Sequence, residues 1–346
     1  MKDLTPHKSY IKMIRRPEFC KFVHGEDIWP WQIEISPTDN CALKCPWCVS
    51  GELTHAERSQ RRTLDADVLI RFLQQFVEKE GKAITLTGGG EPTQHPEIAR
   101  IIHEAADMGL QIGLFTNGVY HKDLNEALAR CLWVRFSVDF GESGWHKKYP
   151  SKATFEQMCD NIEYLSVKDL TVGLNVNVGP QHTQIDIDEL IGMAEIADYL
   201  QFRVLLPTKY TEDFSLAPIW EYINLLRGKG LLPAPRFRFS DDRLTELDAN
   251  KFYAWDICRG HHFVPFLHAD GNLQACAYHP NNHKTYFGNI YMKSWRAIWI
   301  GQQRQDAIKY VSEMDYKAMC QPCCKLTAWN ELLDPACKEQ LHEYFT

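Results

Sequence analysis

Three cysteines on one short stretch, Cys41-Ala-Leu-Lys-Cys45-Pro-Trp-Cys48, are the most chemically pointed residues in this 346-residue chain. Three closely spaced thiolates suit a cubane [4Fe–4S] cluster with one iron left open, whereas a structural zinc site wants a fourth ligand nearby. An open iron is where a substrate or cofactor chelates. A low-potential cluster there can push one electron into a bound sulfonium, break a C–S bond and release a carbon radical.

A second cysteine group, at 258, 276, 320, 323, 324 and 337, lies far downstream. The chain has 12 cysteines in all, unusual for a reducing compartment, where thiols ligate metal or do chemistry. Cys20, Cys131 and Cys159 stand alone. Cys131 and Cys159 fall in helix-like stretches and read as small buried hydrophobes. His261, His262, His268, His279 and His283 crowd the C-terminal region, where surface or hydrogen-bonding roles are commoner than ligation. Trp295 and Trp299, at i and i+4, read as a helix packing face.

Between the cysteine groups lie polar clusters fit for a charged ligand. In Thr87-Gly88-Gly89-Gly90-Glu91-Pro92, glycines let backbone approach a ligand closely and a carboxylate can pair with an ammonium. Thr116-Asn117-Gly118 and Ser137-Val138-Asp139 place polar groups where apolar runs end.

Those runs position the clusters. From residue 31 to about 206, short β-branched runs alternate with amphipathic stretches, as in repeated βα units around a parallel sheet. The strand candidates are Gln32–Ser36, Ala83–Thr87, Gln111–Thr116, Val134–Val138, Val172–Val178 and Gln201–Leu205. Helices are expected over Ala66–Lys79, Glu97–Met108, Leu124–Cys131, Phe155–Leu165, Ile187–Ala197 and Ala217–Arg227. Parallel strands with right-handed crossovers form an open barrel or a doubly wound sheet, and in both the chemistry belongs at the C-terminal strand ends. The cysteine triplet and the polar clusters all fall there. Residues 1–30 read as an N-terminal extension, 31–227 as the βα unit, 228–255 as a connection rich in glycine and proline, and 256–346 as a second unit.

The cysteine spacing, with an aromatic residue before the last cysteine and a strand ahead of the first, resembles the signature of the radical S-adenosylmethionine (SAM) superfamily. The resemblance covers roughly residues 31–206 and implies a partial (β/α)6 TIM-like barrel of the α/β class. It implies that Cys41, Cys45 and Cys48 hold a SAM-binding [4Fe–4S] cluster. Gly89, Gly90 and Glu91 would then meet the methionyl amino group, and Asn117, Ser137, Asp139, Asn177 and Arg203 the rest of SAM. Asn175 and Asn177 are both candidates for the ribose, and for Arg203 a salt-bridged strand residue is an equal reading.

The C-terminal group resembles the SPASM or Twitch auxiliary-cluster unit, in which a cysteine-bearing hairpin is completed by a later C-x-x-C pair. Six cysteines at the wrong spacings depart from the two-cluster pattern and match the small, one-cluster Twitch-type iron–sulfur domain. On that resemblance Cys258, Cys276, Cys320 and Cys323 ligate a second [4Fe–4S] cluster. A four-cysteine zinc ribbon is the alternative. Cys324 and Cys337 remain as candidate hydrogen donors.

The resemblance implies an enzyme that cleaves SAM reductively to a 5′-deoxyadenosyl radical, fed by a reductant such as flavodoxin or ferredoxin. The substrate expected is a small sugar-like or aminocyclitol-like molecule that is oxidised or epimerised, with His182, Lys209, Tyr210, Lys147 and Lys148 as trial contacts. Radical modification of a ribosomal peptide is a second reading. A non-catalytic, zinc-stabilised binding protein is a third.

Composition bounds these readings. A net charge of −7 argues against a nucleic-acid partner. The basic string Arg58, Arg61, Arg62 reads as a solvated helix entry or, less readily, as contact with an anionic substrate. No apolar run reaches the ~18–20 residues a bilayer span needs, and the N-terminal stretch lacks the apolar core of a secretion signal. A cytoplasmic protein is expected.

Overall fold

The computed structural model describes residues 13–45, 47–48, 50–51, 57, 60–148, 152–179, 181–205, 217–234, 236–240, 255–279, 281–320 and 324–338. Its strands are β1 (Gln32–Ile35), β2 (Ala83–Leu86), β3 (Gln111–Thr116), β4 (Trp133–Ser137), β5 (Thr171–Val178), β6 (Tyr199–Val204), β7 (Phe237–Ser240), β8 (Phe266–Leu267), β9 (Asn272–Gln274) and β10 (Tyr286–Asn289).

Strands β1 to β7 are parallel and adjacent in chain order. Six of them are the strands expected from sequence; β7 is an addition, falling within the 228–255 stretch. It pairs with β6 through Gln201↔Arg238 and Arg203↔Ser240. Helices join the strands, among them Ala66–Glu78, Ile98–Asp107, Lys152–Ser166, Gln184–Met193 and Ala217–Gly228.

Alternation gives each strand an apolar and a polar face. Ile33 and Ile35 on β1, Val134 and Phe136 on β4, and Val172, Leu174 and Val176 on β5 are fully buried in the core shared with the helices. Helix Ala66–Glu78 meets this face with Leu69, Ile70, Phe72, Leu73 and Phe76, an i, i+3, i+4, i+7 stripe. It starts where the Asp65 side chain accepts from Val68 N–H at 3.0 Å, an N-cap worth about 1 kcal/mol. Helix Gln184–Met193 opens on a capping box between Thr183 and Asp186.

The opposite face lines the barrel and holds polar side chains beside the rings of Phe115, Trp133 and Tyr199. It carries Gln32 and Glu34 on β1, Thr85 on β2, Arg135 and Ser137 on β4, Asn175 and Asn177 on β5, and Gln201 and Arg203 on β6. The Gln32 Nε2–H bond to Thr85 Oγ1 at 3.3 Å joins two of these positions.

The C-terminal unit continues the same sheet. Strand β8 pairs parallel to β1, with Glu34↔Phe266 and Ile35↔Leu267, and β9 and β10 follow antiparallel. The N-terminal stretch fastens onto this unit. Met13, Ile28, Phe263, Val264, Leu326, Trp329 and Leu333 share a second apolar cluster, in which Phe263 and Trp329 stack at 4.4 Å. The fully buried Arg304 guanidinium grips Asp27 at 2.8 and 2.9 Å. Trp295 and Trp299 are each 1% exposed, with rings 4.9 Å apart, so the pair is a packing face.

Candidate active site

At the C-terminal end of β1 the chain turns through Ser36–Asn40 into the cysteine triplet. The glycine loop after β2 lies directly against this turn. Gly89 N–H donates to Ser36 Oγ at 2.9 Å, Gly90 N–H to the Thr38 carbonyl at 3.0 Å and Glu91 N–H to the Asn40 carbonyl at 2.7 Å. A Cβ at Gly90 would stand 2.5 Å from the Thr38 carbonyl oxygen and as close to that of Asn40. The glycine is thus required by the approach of two backbones.

Glu91 is 4% exposed and bolts the glycine loop to the end of β3. Its Oε1 accepts from Thr93 N–H at 3.1 Å, Thr93 Oγ1 at 2.8 Å and Thr116 Oγ1 at 2.7 Å. Its Oε2 accepts from Asn117 N–H at 2.7 Å. Burial raises the carboxyl pKa and the four donors lower it, with burial dominant.

The cysteines take their place from this frame. Cys48 N–H bonds the Cys45 carbonyl at 3.1 Å, closing a tight turn. Asn117 Nδ2 reaches Cys41 Sγ at 3.9 Å. The Cys41 thiol is pushed up to about 11, by burial first and then by the negative charge of Glu91. Both causes penalise a bare thiolate, and iron ligation would offset them, so the donor set fits a cationic cluster.

The sequence marks Trp47 only as the aromatic residue before Cys48. Its Nε1–H donates to Asp139 Oδ2 at 3.2 Å, tying the cysteine loop to the end of β4. Asp139 also accepts from Asn177 N–H at 3.3 Å and Asn177 Nδ2 at 3.2 Å. Asp139 and Asn177 are thereby gathered at one rim with the triplet. Ser137 stands in register with Asn175, and Arg203 with Asn177. His182, a trial substrate contact, is 4% exposed, hydrogen-bonded at Gly179 and the Asp139 carbonyl, and stacked on Phe140 at 4.9 Å. It supports the rim. Lys209 and Tyr210 lie outside the described residues, and Lys147 and Lys148 belong to helix Glu142–Lys148 with side chains outside them.

The second centre gathers four thiols. Cys324 is buried and pushed well above its usual range, by burial first and then by the charges of Cys276, Cys258 and Cys320. Cys276 and Cys320 are pushed up to about 12, each by burial and then by neighbouring thiols. Three of the four sulfurs accept hydrogen bonds: Cys276 from Tyr278 N–H at 3.3 Å, Cys324 from Leu326 N–H at 3.3 Å and Cys258 from Asn330 Nδ2 at 3.4 Å. His279 Nε2 is 3.7 Å from Cys320 Sγ.

Among the described residues no group of three or more His, Cys, Asp or Glu side chains is set to hold a single metal ion. From the sequence, Cys323 is the expected fourth ligand, with Cys324 and Cys337 as candidate hydrogen donors. Cys323 lies outside the described residues, and Cys337 belongs to helix Thr327–Lys338 with its side chain outside them. Arg62 joins the two centres: its guanidinium bonds Asp39, ahead of the triplet, and Asp270, in the β8–β9 turn, both at 2.7 Å.

Comparison with known proteins agrees with this geometry. The radical SAM superfamily model matches residues 35–194 and the iron–sulfur cluster-binding SPASM model residues 258–325. A GTP 3′,8-cyclase of Marinobacter nauticus is 27% identical over 168 residues, 47% of this chain, which spans 49% of that relative. A tungsten-containing aldehyde ferredoxin oxidoreductase cofactor-modifying protein of Pyrococcus furiosus is 23% identical over 326 residues, covering 83% of this chain and 85% of its own. Among solved structures, Streptococcus suis SuiB bound to precursor peptide SuiA superposes with a TM-score of 0.61 at 17% identity, over 87% of this chain and 72% of that one. The anSMEcpe structure with bound AdoMet gives 0.59 at 15% identity, over 88% and 92%. Two domain matches in the expected order, on a parallel barrel that presents its cysteine triplet after β1, identify the chain as a radical SAM superfamily enzyme with a C-terminal SPASM-type iron–sulfur domain, using SAM and a SAM-binding [4Fe–4S] cluster beside an auxiliary iron–sulfur centre.

Proposed function

We propose that this enzyme oxidises a small hydroxylated substrate held inside the barrel, and that Cys258, Cys276, Cys320 and Cys324 hold the auxiliary [4Fe–4S] cluster. With SAM bound, the Cys41/Cys45/Cys48 centre supplies a 5′-deoxyadenosyl radical that abstracts hydrogen from substrate carbon, and the auxiliary centre supplies an electron acceptor.

The chain's own groups bind and orient. Asn117, Asp139 and Asn177 present polar groups to SAM at the rim, with Ser137 and Arg203 on the strands beside them. Glu91 keeps the glycine loop on the end of β3, and the free lone pair of its Oε2 suits the methionyl ammonium. Trp47, through Asp139, holds the cysteine loop over the barrel mouth, where it excludes water.

One observation carries the choice of oxidation over epimerisation. Epimerisation needs a thiol that gives hydrogen to the substrate radical, and Cys324, one of the two candidates for that role, is buried within reach of the charges of the other three sulfurs of the second centre. A thiol engaged as a ligand has no hydrogen to give.

Anaerobically reconstituted wild-type protein should hold about eight iron atoms, two four-iron clusters, and form 5′-deoxyadenosine under reductant. Cys324→Ala should lose roughly half the iron and keep cofactor cleavage detectable, while Cys337→Ala keeps all of it. Full iron in Cys324→Ala, together with loss in Cys323→Ala, would return the fourth position to Cys323. Full iron with intact hydrogen abstraction but no final product would make Cys324 the hydrogen donor.

A further inference from the structure

Helix Thr327–Lys338 presents two kinds of residue to the segment that carries Cys258. Trp329 and Leu333 join the second apolar cluster with Phe263 and Val264. One position further on stand Asn330 and Asp334, a helical turn apart and both buried. Asp334 accepts from Asp256 N–H at 3.2 Å and pairs with the Arg259 guanidinium. Asn330 Oδ1 accepts from Arg259 N–H at 2.7 Å and from Gly260 N–H at 2.8 Å. Oxygen atoms of two side chains thus clamp residues 256–260 to the helix.

The other end of the Asn330 amide has a different neighbour. Two backbone donors fix which end is oxygen, so the nitrogen faces Cys258, with Nδ2–H donating to Sγ at 3.4 Å. The donors to Cys276 and Cys324 are the N–H groups of Tyr278 and Leu326, each two residues on and delivered by the local turn. The Asn330 donor comes from a side chain 72 positions away. Asn330 is fully buried, and burying a primary amide is unfavourable unless its groups are bonded. Clamping needs only an acceptor, which an aspartate supplies at 334. The N–H is what asparagine adds.

Negative charge on the sulfurs of an iron–sulfur cluster increases when the cluster is reduced. An N–H aimed at a ligating sulfur therefore stabilises the reduced state more than the oxidised one and raises the reduction potential.

We infer that Asn330 is a positioning residue of the auxiliary centre, whose Nδ2–H bond to Cys258 Sγ raises the reduction potential of that cluster and so suits it to accept an electron. The inference rests on the ligand set proposed above and deepens it. In the oxidation of a secondary alcohol, the 5′-deoxyadenosyl radical removes one hydrogen atom from carbon. The substrate radical then loses its hydroxyl proton to solvent and one electron to the oxidised auxiliary cluster, leaving a ketone.

Asn117 approaches Cys41 with its own amide, so the test is made on the full chain with Cys41→Ala, Cys45→Ala and Cys48→Ala combined, where only the auxiliary centre remains. Protein labelled with 15N at asparagine side-chain amides should show, once reduced, a 15N coupling in pulsed electron paramagnetic resonance that Asn330→Asp abolishes. Asn330→Asp keeps an oxygen for the Arg259 and Gly260 N–H groups. It should hold its iron and be at least tenfold harder to reduce, a potential lower by ~59 mV for a one-electron couple. Asn330→Leu, which adds no charge, should shift the same way and so separates the lost N–H from the charge of the carboxylate. Should either variant lose the cluster, the 15N coupling decides alone. No coupling in the labelled protein with Asn330 intact, or an unchanged potential in Asn330→Leu, overturns the role of Asn330. Full iron in Cys258→Ala would strike the ligand set instead, since Asn330 would then face a sulfur that holds no iron.

Discussion

Glu91 shows how one side chain serves structure and chemistry at once. In sequence it reads as a partner for an ammonium; in the fold four donors already hold it, from the glycine loop and the end of β3. Glu91→Ala would leave buried donors at Thr93, Thr116 and Asn117 unmet, a cost of about 2–4 kcal/mol. It should therefore lower Tm by several degrees as well as weaken SAM binding, with iron still held at both centres. A variant with wild-type Tm and weakened SAM affinity would restrict Glu91 to ligand contact. Trp47 and Asp139 illustrate the converse, since neither residue's type announces that an indole N–H will span from the cysteine loop to β4.

At the scale of elements, the glycine loop and the turn after β1 form one unit. Each strand ends where its apolar run ends, and the two loops meet because β1 and β2 are neighbours in register. Gly90→Ala places a methyl group against two backbone carbonyls, neither of which can rotate away as a side chain would. The turn carrying Thr38 to Asn40 must shift, and Cys41 with it. We expect this variant to fold, to reconstitute about half its iron, and to lose the electron paramagnetic resonance change that SAM induces at the open-iron cluster. Full iron with an unchanged SAM response would show that the turn absorbs the methyl group. Strand β7 belongs to this scale too: proline and glycine in Gly228–Pro235 disguise a short strand whose partner, β6, precedes it by more than thirty residues.

For the whole molecule, the N-terminal stretch acts as a clasp on the C-terminal unit. Arg304 is fully buried and takes its counter-charge from Asp27. Burial, then the charge of Arg304, pushes His262 down to about 3, so that neighbour stays neutral at ordinary pH and adds no further positive charge. Asp27→Ala would leave Arg304, among the described residues, with hydrogen bonds to the Trp299 carbonyl and the His262 ring and with the Trp299 and Phe287 ring faces, but with no counter-charge. A cost of about 1–3 kcal/mol follows, since Asp27 itself is half exposed and the pair is partly screened. The expected readout is a Tm lowered by several degrees, with iron at the second centre more easily lost to a chelator. Among the described residues no helix is long and apolar enough to cross a membrane.

The sequence alone determined the chemistry of the first centre and the order of the barrel. Three cysteines on one loop, glycines beside a glutamate and apolar runs at βα spacing are local patterns, and neighbouring residues stay neighbours when a chain folds. It also located the second group of cysteines, and the two packed tryptophans as a helix face. Tertiary structure alone decided what depends on residues far apart in the chain. The company of Cys324, the Trp47–Asp139 tie, the joining of β8 to β1 and the pairing of Arg304 with Asp27 each span tens to hundreds of positions. So does the meeting of Arg135 and Arg238 at Tyr199, on strands more than a hundred residues apart. The physical reason is that β5 and β6 lie between β4 and β7 in one parallel sheet, so that the register brings both side chains to the same face beside Tyr199.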